Sequence, residues 1–467
     1  VGYQAMVANT TGGANVALSK ALGANTTGDN NIAIGYAALN ANTTSSNNIA
    51  IGRDALNDNT TGAYNVAMGS LAMDANTTGT ENTAIGYNAL GANTTGSYNT
   101  SIGLNSMLVS TTGSTNVAIG YQALDANTTA SNNVAIGTGA LGANTTGATN
   151  TALGGQALAA NTTSASNTAV GYAALNASSG ATNTAVGYYS QVATTTGGSN
   201  TSVGSNSLVA NTTGNYNTAI GTSALSANTT ASDNVAVGWQ TLTANTTGTK
   251  NTAVGDTALG SVTTGVGNTA VGWEAGHYNL TGTTDGTGCT FLGAFTRSVA
   301  AGNSNQIVMG YDARSTIDTA TAYITIGNGT GTYTICQVGT TTWAASSDVR
   351  LKEKIEDSTI GLSFINELRP VSFKWKKRKD VPEELAGYKK DSEDRANCNT
   401  EEHYYGFIAQ EVKEVIDDRE DVKDSAQFWS EADDGTQALS ATALIPILTK
   451  AVQELSAEVE ELKSKMH

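Results

Sequence analysis

The chain has 467 residues, with 39 acidic and 23 basic side chains, 52 glycines and three prolines. Charged residues make up only 13%, about half the usual share, which fits neither a charged globule nor a disordered acidic chain. A net charge of −16 disfavours nucleic acid as a partner, because phosphate binding needs clustered Lys and Arg.

The chain starts at Val1 inside a repeat (Gly2, Tyr3, then Asn9-Thr10-Thr11-Gly12), which predicts that a natural N-terminal part precedes it. One unit reads Asn82-Thr83-Ala84-Ile85-Gly86-Tyr87-Asn88-Ala89-Leu90-Gly91-Ala92-Asn93-Thr94-Thr95-Gly96-Ser97-Tyr98. Its leading Asn recurs at 15, 31, 48, 65, 82, 99, 116, 133, 150, 167, 183, 200, 217, 234, 251 and 268. Thirteen steps are 17 residues long and two are 16. Such self-similarity means stacked units that cannot fold alone.

Asn-Thr-Thr-Gly is a turn sequence, since Asn and Gly tolerate positive φ. Thr83-Ala84-Ile85 is the strand candidate, ended by Gly86. Ala84 and Ile85 point to opposite faces yet both are apolar, so one fills the coil and the other meets something outside it. The identical strands of two further chains around an axis are the simplest candidates. Ala89-Leu90 is expected to form a second short strand on the far wall. With each repeat one rung, sixteen rungs give a rod of roughly 75–80 Å.

Degenerate rungs continue at Phe291-Leu292-Gly293, Val308-Met309-Gly310 and Thr325-Ile326-Gly327. Larger side chains gather there (Trp273, Tyr278, Phe291, Phe295, Tyr311, Tyr323), which predicts a widened, capped rod end over 276–346 after a repetitive rod over 1–275. Asn-x-Thr matches a glycosylation acceptor throughout, but turn geometry already explains its periodicity. The rod resembles the left-handed β-roll of trimeric autotransporter adhesin heads, with similar Ala-Ile-Gly rungs over about residues 1–330.

Composition shifts near residue 346. Up to there the chain has 12 acidic and 5 basic residues; beyond it has 27 and 18, and all three prolines. Four motifs follow in order: Ser347-Asp348-Val349-Arg350-Leu351-Lys352, Leu368-Arg369-Pro370-Val371, Tyr405-Gly406-Phe407-Ile408-Ala409-Gln410-Glu411-Val412, and Ala443-Leu444-Ile445-Pro446-Ile447-Leu448. On spacing alone, Ser-Asp before Leu-Lys is also an ordinary helix N-cap. Together the motifs resemble the C-terminal intramolecular chaperones of phage endosialidase tailspikes, the S74 peptidases, over 347–467.

That resemblance implies self-cleavage between Ser346 and Ser347. Ser347 is the implied nucleophile and Lys352 the base, since a serine hydroxyl needs one and a partly buried Lys can serve. Asp348 is a weaker candidate for orienting the site, and Gln410 for polarising the scissile carbonyl. The histidines (His277, His403, His467) are far from this junction in sequence, which argues against a Ser-His-Asp triad. Lys374, Lys376, Lys377, Arg378 and Lys379 form a basic run that could be a nucleic-acid patch, but Glu383, Glu384, Asp391, Glu393 and Asp394 follow it, so a solvated or extended arm is expected.

The end of the chain is readable without any family. Ile445, Val452, Val459 and Met466 share one heptad position, and Leu448, Leu455 and Leu462 the other. That predicts a parallel coiled coil over 441–466. β-branched residues at the first position and Leu at the second favour dimers, so three-fold symmetry follows from the rod and the resemblance, not from this seam.

The expected fold is therefore mainly β: a trimeric β-roll or β-solenoid rod of 17-residue rungs, then an α+β chaperone domain ending in a coiled-coil helix. The resemblance implies a viral tail fibre or spike, a homotrimer assembled in the host cytoplasm and carried on the virion. A host-surface glycan or protein is the expected partner, without nucleic acid or membrane insertion. Two alternatives stand beside it, a bacterial trimeric surface adhesin and a structural spacer that binds nothing. Cys289, Cys336 and Cys398 lack metal or disulfide spacing, and no cofactor or metal is expected. The acids of 1–346 are scattered and offer no carboxylate pair for glycan hydrolysis.

Overall fold

A computed structural model divides the chain into two compact units, Val1–Ser346 and Ser347–His467. It describes residues 2–277, 286–298, 304–314, 323–327, 333–337, 355–383, 385, 388–395, 402–422, 429–431, 435–440 and 443–466.

The first unit is a parallel β-solenoid. Seventeen three-residue strands, β1 (Val16–Leu18) to β17 (Thr290–Leu292), stack one per rung. Two longer strands continue the parallel stack, β18 (Gln306–Met309) and β19 (Tyr323–Gly327). The strand β20 (Tyr333–Gln337) then pairs antiparallel with β19. Register is residue for residue: Thr83 opposes Thr100, and Ile85 opposes Ile102.

Each three-residue strand, β1 to β17, buries only its middle residue. Ala84 is fully buried, while Thr83 and Ile85 face outward. Repetition turns this into two columns, an inner column of Ala and an outer one of Ile, Val, Leu and Met. The expected opposition of Ala84 and Ile85 is what the strand shows. Gly86 then takes φ +133°, and a Cβ there would lie 2.5 Å from the Gly103 carbonyl oxygen of the next rung. Only glycine turns this corner at this rung spacing.

The second strand expected at Ala89-Leu90 does not form. Asn88 and Leu90 take φ of 57° and 55°, within a turn. A strand would send these two side chains to opposite faces, yet Ala89 and Leu90 are both fully buried. Left-handed residues separated by one position point both inward, and the backbone still reaches both neighbouring rungs. The Asn88 amide donates to Ser70 at 3.0 Å, and the Leu90 amide to Ser106 at 2.9 Å.

Two buried asparagine ladders run along the coil. The leading Asn82 donates from Nδ2 to the Gly96 carbonyl at 2.9 Å, and its Oδ1 accepts from the Asn99 amide at 2.9 Å. In the second ladder, Asn93 Nδ2 donates to Asn76 Oδ1 at 2.8 Å and closes its own turn on Gly96 at 3.0 Å. The Asn of the Asn-Thr-Thr sequon is thus buried inside the rod, which removes it from any glycosylation enzyme acting on the folded chain. Cys289 takes the leading position on its rung, and its amide donates to Asn268 Oδ1 at 2.9 Å. Burial raises the pKa of its thiol.

The apolar core of the coil is interrupted once. One cluster ends at Ala185 and the next begins at Leu208. Between them Ser190, Gln191, Thr194, Ser202 and Ser207 are buried. The Gln191 amide and the Thr194 hydroxyl find no hydrogen-bond partner among the described residues. This break follows the shortened step from Asn167 to Asn183.

The second unit is small and mixed. Helix α1 (Leu362–Glu367) precedes strand β21 (Val371–Phe373), which pairs antiparallel with β22 (Tyr404–Gly406). Helix α2 (Ala409–Asp417) follows, then the pair β23 (Trp429–Glu431) and β24 (Gln437–Leu439), then helix α3 (Leu444–Met466). Phe364, Leu368, Val412, Ile416, Val422, Leu444 and Ile447 form its core.

Candidate functional site

The junction residues Ser346, Ser347, Asp348 and Lys352 lie outside the described residues. Of the candidate site residues, Gln410 is placed. It is the second residue of α2 and lines a groove of about 990 Å³. Phe373, Trp375, Phe407 and Leu439 give the groove apolar walls, and Lys374, Lys376 and Arg378 give it positive charge.

The motifs downstream of the junction mostly build the scaffold. Pro370 removes a donor and leads the chain into β21, beside Tyr405 and Gly406 of the third motif. The two motifs are also tied by Arg369 and Glu411. The Arg369 Nε donates to Glu411 Oε2 at 2.9 Å, and its Nη2 to the other carboxylate oxygen. Pairing with Arg369 lowers the Glu411 pKa. Both side chains are largely solvated, so the tie orients more than it stabilises. Within α2, Val412 and Ile416 face the core and leave Gln410 on the groove side.

The basic run after β21 is partly neutralised. Lys377 and Lys379 both hold Glu393, which lowers the Glu393 pKa to about 2. Arg395 donates to the Trp375 carbonyl at 2.6 Å. This agrees with the expectation of a solvated, charge-balanced arm.

Helix α3 presents two distinct faces. Leu444, Ile447 and Ala451 are buried within the unit. The heptad seam lies on the other side: Ile445, Leu448, Val452, Leu455, Val459, Leu462 and Met466 are all exposed, from 41% at Val459 to 84% at Met466. Pro446 sits in the first turn, where its missing amide costs no helical bond. Glu454, between the two faces, accepts from the Leu362 amide at 2.7 Å and so caps α1. Gly361 lies directly beside it, and a Cβ there would push against the Glu454 carboxylate at 2.4 Å.

Sequence reasoning missed the Glu454 cap, the Arg369–Glu411 tie and the asparagine ladders. The ladders left a signal. The leading Asn never changes over its sixteen occurrences, while the second ladder admits Ser110, Ser178, Thr194 and Val262. The cap and the tie join positions 92 and 42 residues apart, which no local pattern reveals.

Among the described residues, no helix is long and apolar enough to cross a membrane, and no group of three or more His, Cys, Asp or Glu is placed to hold a metal. The architecture defines the class, a parallel β-solenoid joined to a small α+β unit with an unpaired heptad helix. The Peptidase_S74 family model, described as chaperone of endosialidase, matches residues 347–419. That family is a self-cleaving chaperone, and with the solenoid it fits a tail fibre carrying an S74 chaperone domain. No curated protein matches the chain. No solved structure matches it either.

Proposed function

We propose that the chain is a homotrimeric phage tail fibre or spike that binds a host surface and sheds its own C-terminal chaperone. The observation that carries the assembly is the seven-residue apolar seam exposed on α3, which calls for partner chains, while the number three is supported by the rod's outer apolar column and the family match. Each seam residue would gain about 1.5–3 kcal/mol on burial, and a single chain leaves them all in water. The outer column of the rod, exposed at Ile85, Val203, Ile220 and Val254, poses the same demand along the solenoid. Three chains joined at the seam start with their rods in register. That matters because sixteen near-identical repeats let neighbouring chains slip by a whole rung.

The chemistry proposed for release uses Ser347 and Lys352. The Lys352 amine takes the Ser347 hydroxyl proton as Oγ bonds to the carbonyl carbon of Ser346. The Ser346–Ser347 C–N bond then breaks, and the freed amine takes up a proton. Water hydrolyses the resulting ester, leaving a Ser346 carboxylate and a Ser347 N-terminus. Asp348 and Gln410 are proposed to orient and polarise. The domain boundaries follow: a repetitive rod over 1–275, a cap over 276–346, and a releasable unit over 347–467. Loss of the trimerising unit leaves the rod held by a kinetic barrier.

Native mass measurement tests the assembly. The chain with Ser347→Ala is expected to be trimeric, and Val452→Asp with Leu455→Asp to be monomeric. A monomeric Ser347→Ala chain would defeat the reading. The kinetic barrier is tested by the unfolding rate of the rod. It should be slower for the cleaved wild type than for Ser347→Ala, and equal rates would sink that part.

A further inference from the structure

Residues 126–232 contain no Asp, Glu, Lys, Arg or His. This belt covers about six rungs, roughly 30 Å of rod. Its centre carries a feature found at no other rung. The position after the strand-ending glycine holds an isolated aromatic on several rungs, as at Tyr36, Tyr87 and Tyr121. Tyr172 and Tyr188 are the one pair that occupies this position on successive rungs.

The two rings stack with centroids 5.9 Å apart and 19° between planes. Tyr189, the next residue, stands edge-on to both, at 5.8 Å from Tyr172 and 4.3 Å from Tyr188. Two ring planes therefore meet a third at nearly a right angle, and the corner is open to solvent, with Tyr172 46% and Tyr188 53% exposed. Its surroundings are small. Thr138 and Gly155 precede the pair in its column, and Ser205 and Thr222 follow it. The Tyr172 ring lies over Gly155, where an added Cβ would meet it at 3.4 Å. In the column of Tyr189 the neighbouring amides are Gln156, exposed, and Asn206, half-buried.

We propose that this tyrosine corner is a binding site for a neutral glycan. The inference rests on the reading of the rod as a surface-binding fibre and names its ligand class. A pyranose has a C–H face that packs on aromatic rings and a rim of hydroxyls that pairs with amides and phenols. The corner supplies both: two ring orientations and, beside them, the Gln156 and Asn206 amides. The belt supplies no counter-charge, so an acidic sugar would be desolvated without a partner, whereas a neutral one has no charge to leave unpaired. Nucleic acid is excluded on the same ground.

The test uses the full chain in affinity electrophoresis through dextran, mannan and galactan as neutral probes and hyaluronan as an acidic one. At least one neutral polymer is expected to retard the chain. Retardation should weaken about tenfold in the Tyr172→Ser, Tyr188→Ser double variant. It should be unchanged in Tyr87→Ser, and unchanged between about 50 and about 500 mM salt. No retardation by any neutral probe, retardation by hyaluronan alone, or equal retardation of the double variant would each overturn the inference. Native mass is read on the same samples. A trimer that no neutral polymer retards sinks this site and leaves the fibre reading standing. A monomer sinks the fibre reading, while the tyrosine variants still score the site.

Discussion

Replacing Asn82 by alanine isolates what the leading ladder does. Asn82 Oδ1 accepts from the Asn99 amide at 2.9 Å, a buried N–H for which the fold provides this side chain as acceptor. Its Nδ2 donates to the Gly96 carbonyl at 2.9 Å, but Gly96 also accepts from Asn93 at 3.0 Å and keeps that partner. The Asn82→Ala chain therefore orphans one buried donor, at about 1–3 kcal/mol, and removes bonds to Gly96, Asn65 Oδ1 and Asn99 Nδ2, all of which keep another partner, at about 1 kcal/mol in all. The sum, about 2–4 kcal/mol, corresponds to roughly 30- to 1000-fold more frequent local opening. Because a solenoid rung touches only its neighbours, the effect belongs to the rungs on either side. Hydrogen exchange read by mass spectrometry should show faster exchange in peptides spanning residues 75–110. Peptides spanning residues 230–260 should be unchanged. Unaltered protection near Asn82, or a loss spread evenly along the rod, would refute the ladder account.

Three further outcomes follow from the same geometry. Gln191→Leu restores the residue type of Leu175 and Leu208 and removes an unpaired buried amide. It should slow local exchange around residues 180–205 by about 1–3 kcal/mol of added stability, and faster exchange would show that the amide has a partner the structure does not hold. Gly86→Ala forces a Cβ toward the Gly103 carbonyl at positive φ, and should expose peptides at 80–105 to limited proteolysis while distant rungs stay resistant. Asp125, whose pKa burial raises, binds its proton more tightly folded than unfolded. Its destabilising charge is therefore present above the raised folded pKa and is removed as pH falls toward the unfolded value near 3.8. Asp125→Asn should protect the rod at neutral pH and lose that advantage in acid; an advantage that persists in acid would show that charge is not the cause.

The rod was legible because its period is strict and its strand is short. Asn82, the Thr83-Ala84-Ile85 strand and Gly86 announce rung, strand and corner, and the apolar pair Ala84 and Ile85 announces two buried or buriable faces. The Ala89-Leu90 wall was misread because an adjacent apolar pair does not distinguish a strand from a left-handed turn that turns both residues inward. In the second unit, the seam of α3 stood out by heptad spacing. The division of α3 into a buried face at Leu444, Ile447 and Ala451 and an exposed seam depends on where α1 and Glu454 pack, contacts set 92 residues apart. The proposed Ser347–Lys352 pair comes from motif order and family, and of the candidate site residues the described ones contribute Gln410 and the groove it lines.

The proposed release breaks one bond, Ser346–Ser347. Expression of the wild-type chain beside Ser347→Ala and Lys352→Ala, followed by denaturing gels and an intact mass, tests it directly. The wild-type chain should yield a rod ending at Ser346 and a released unit of residues 347–467, roughly a quarter of the chain. Both variants should stay full length. A full-length wild-type band, or cleavage that persists in Ser347→Ala, would contradict it.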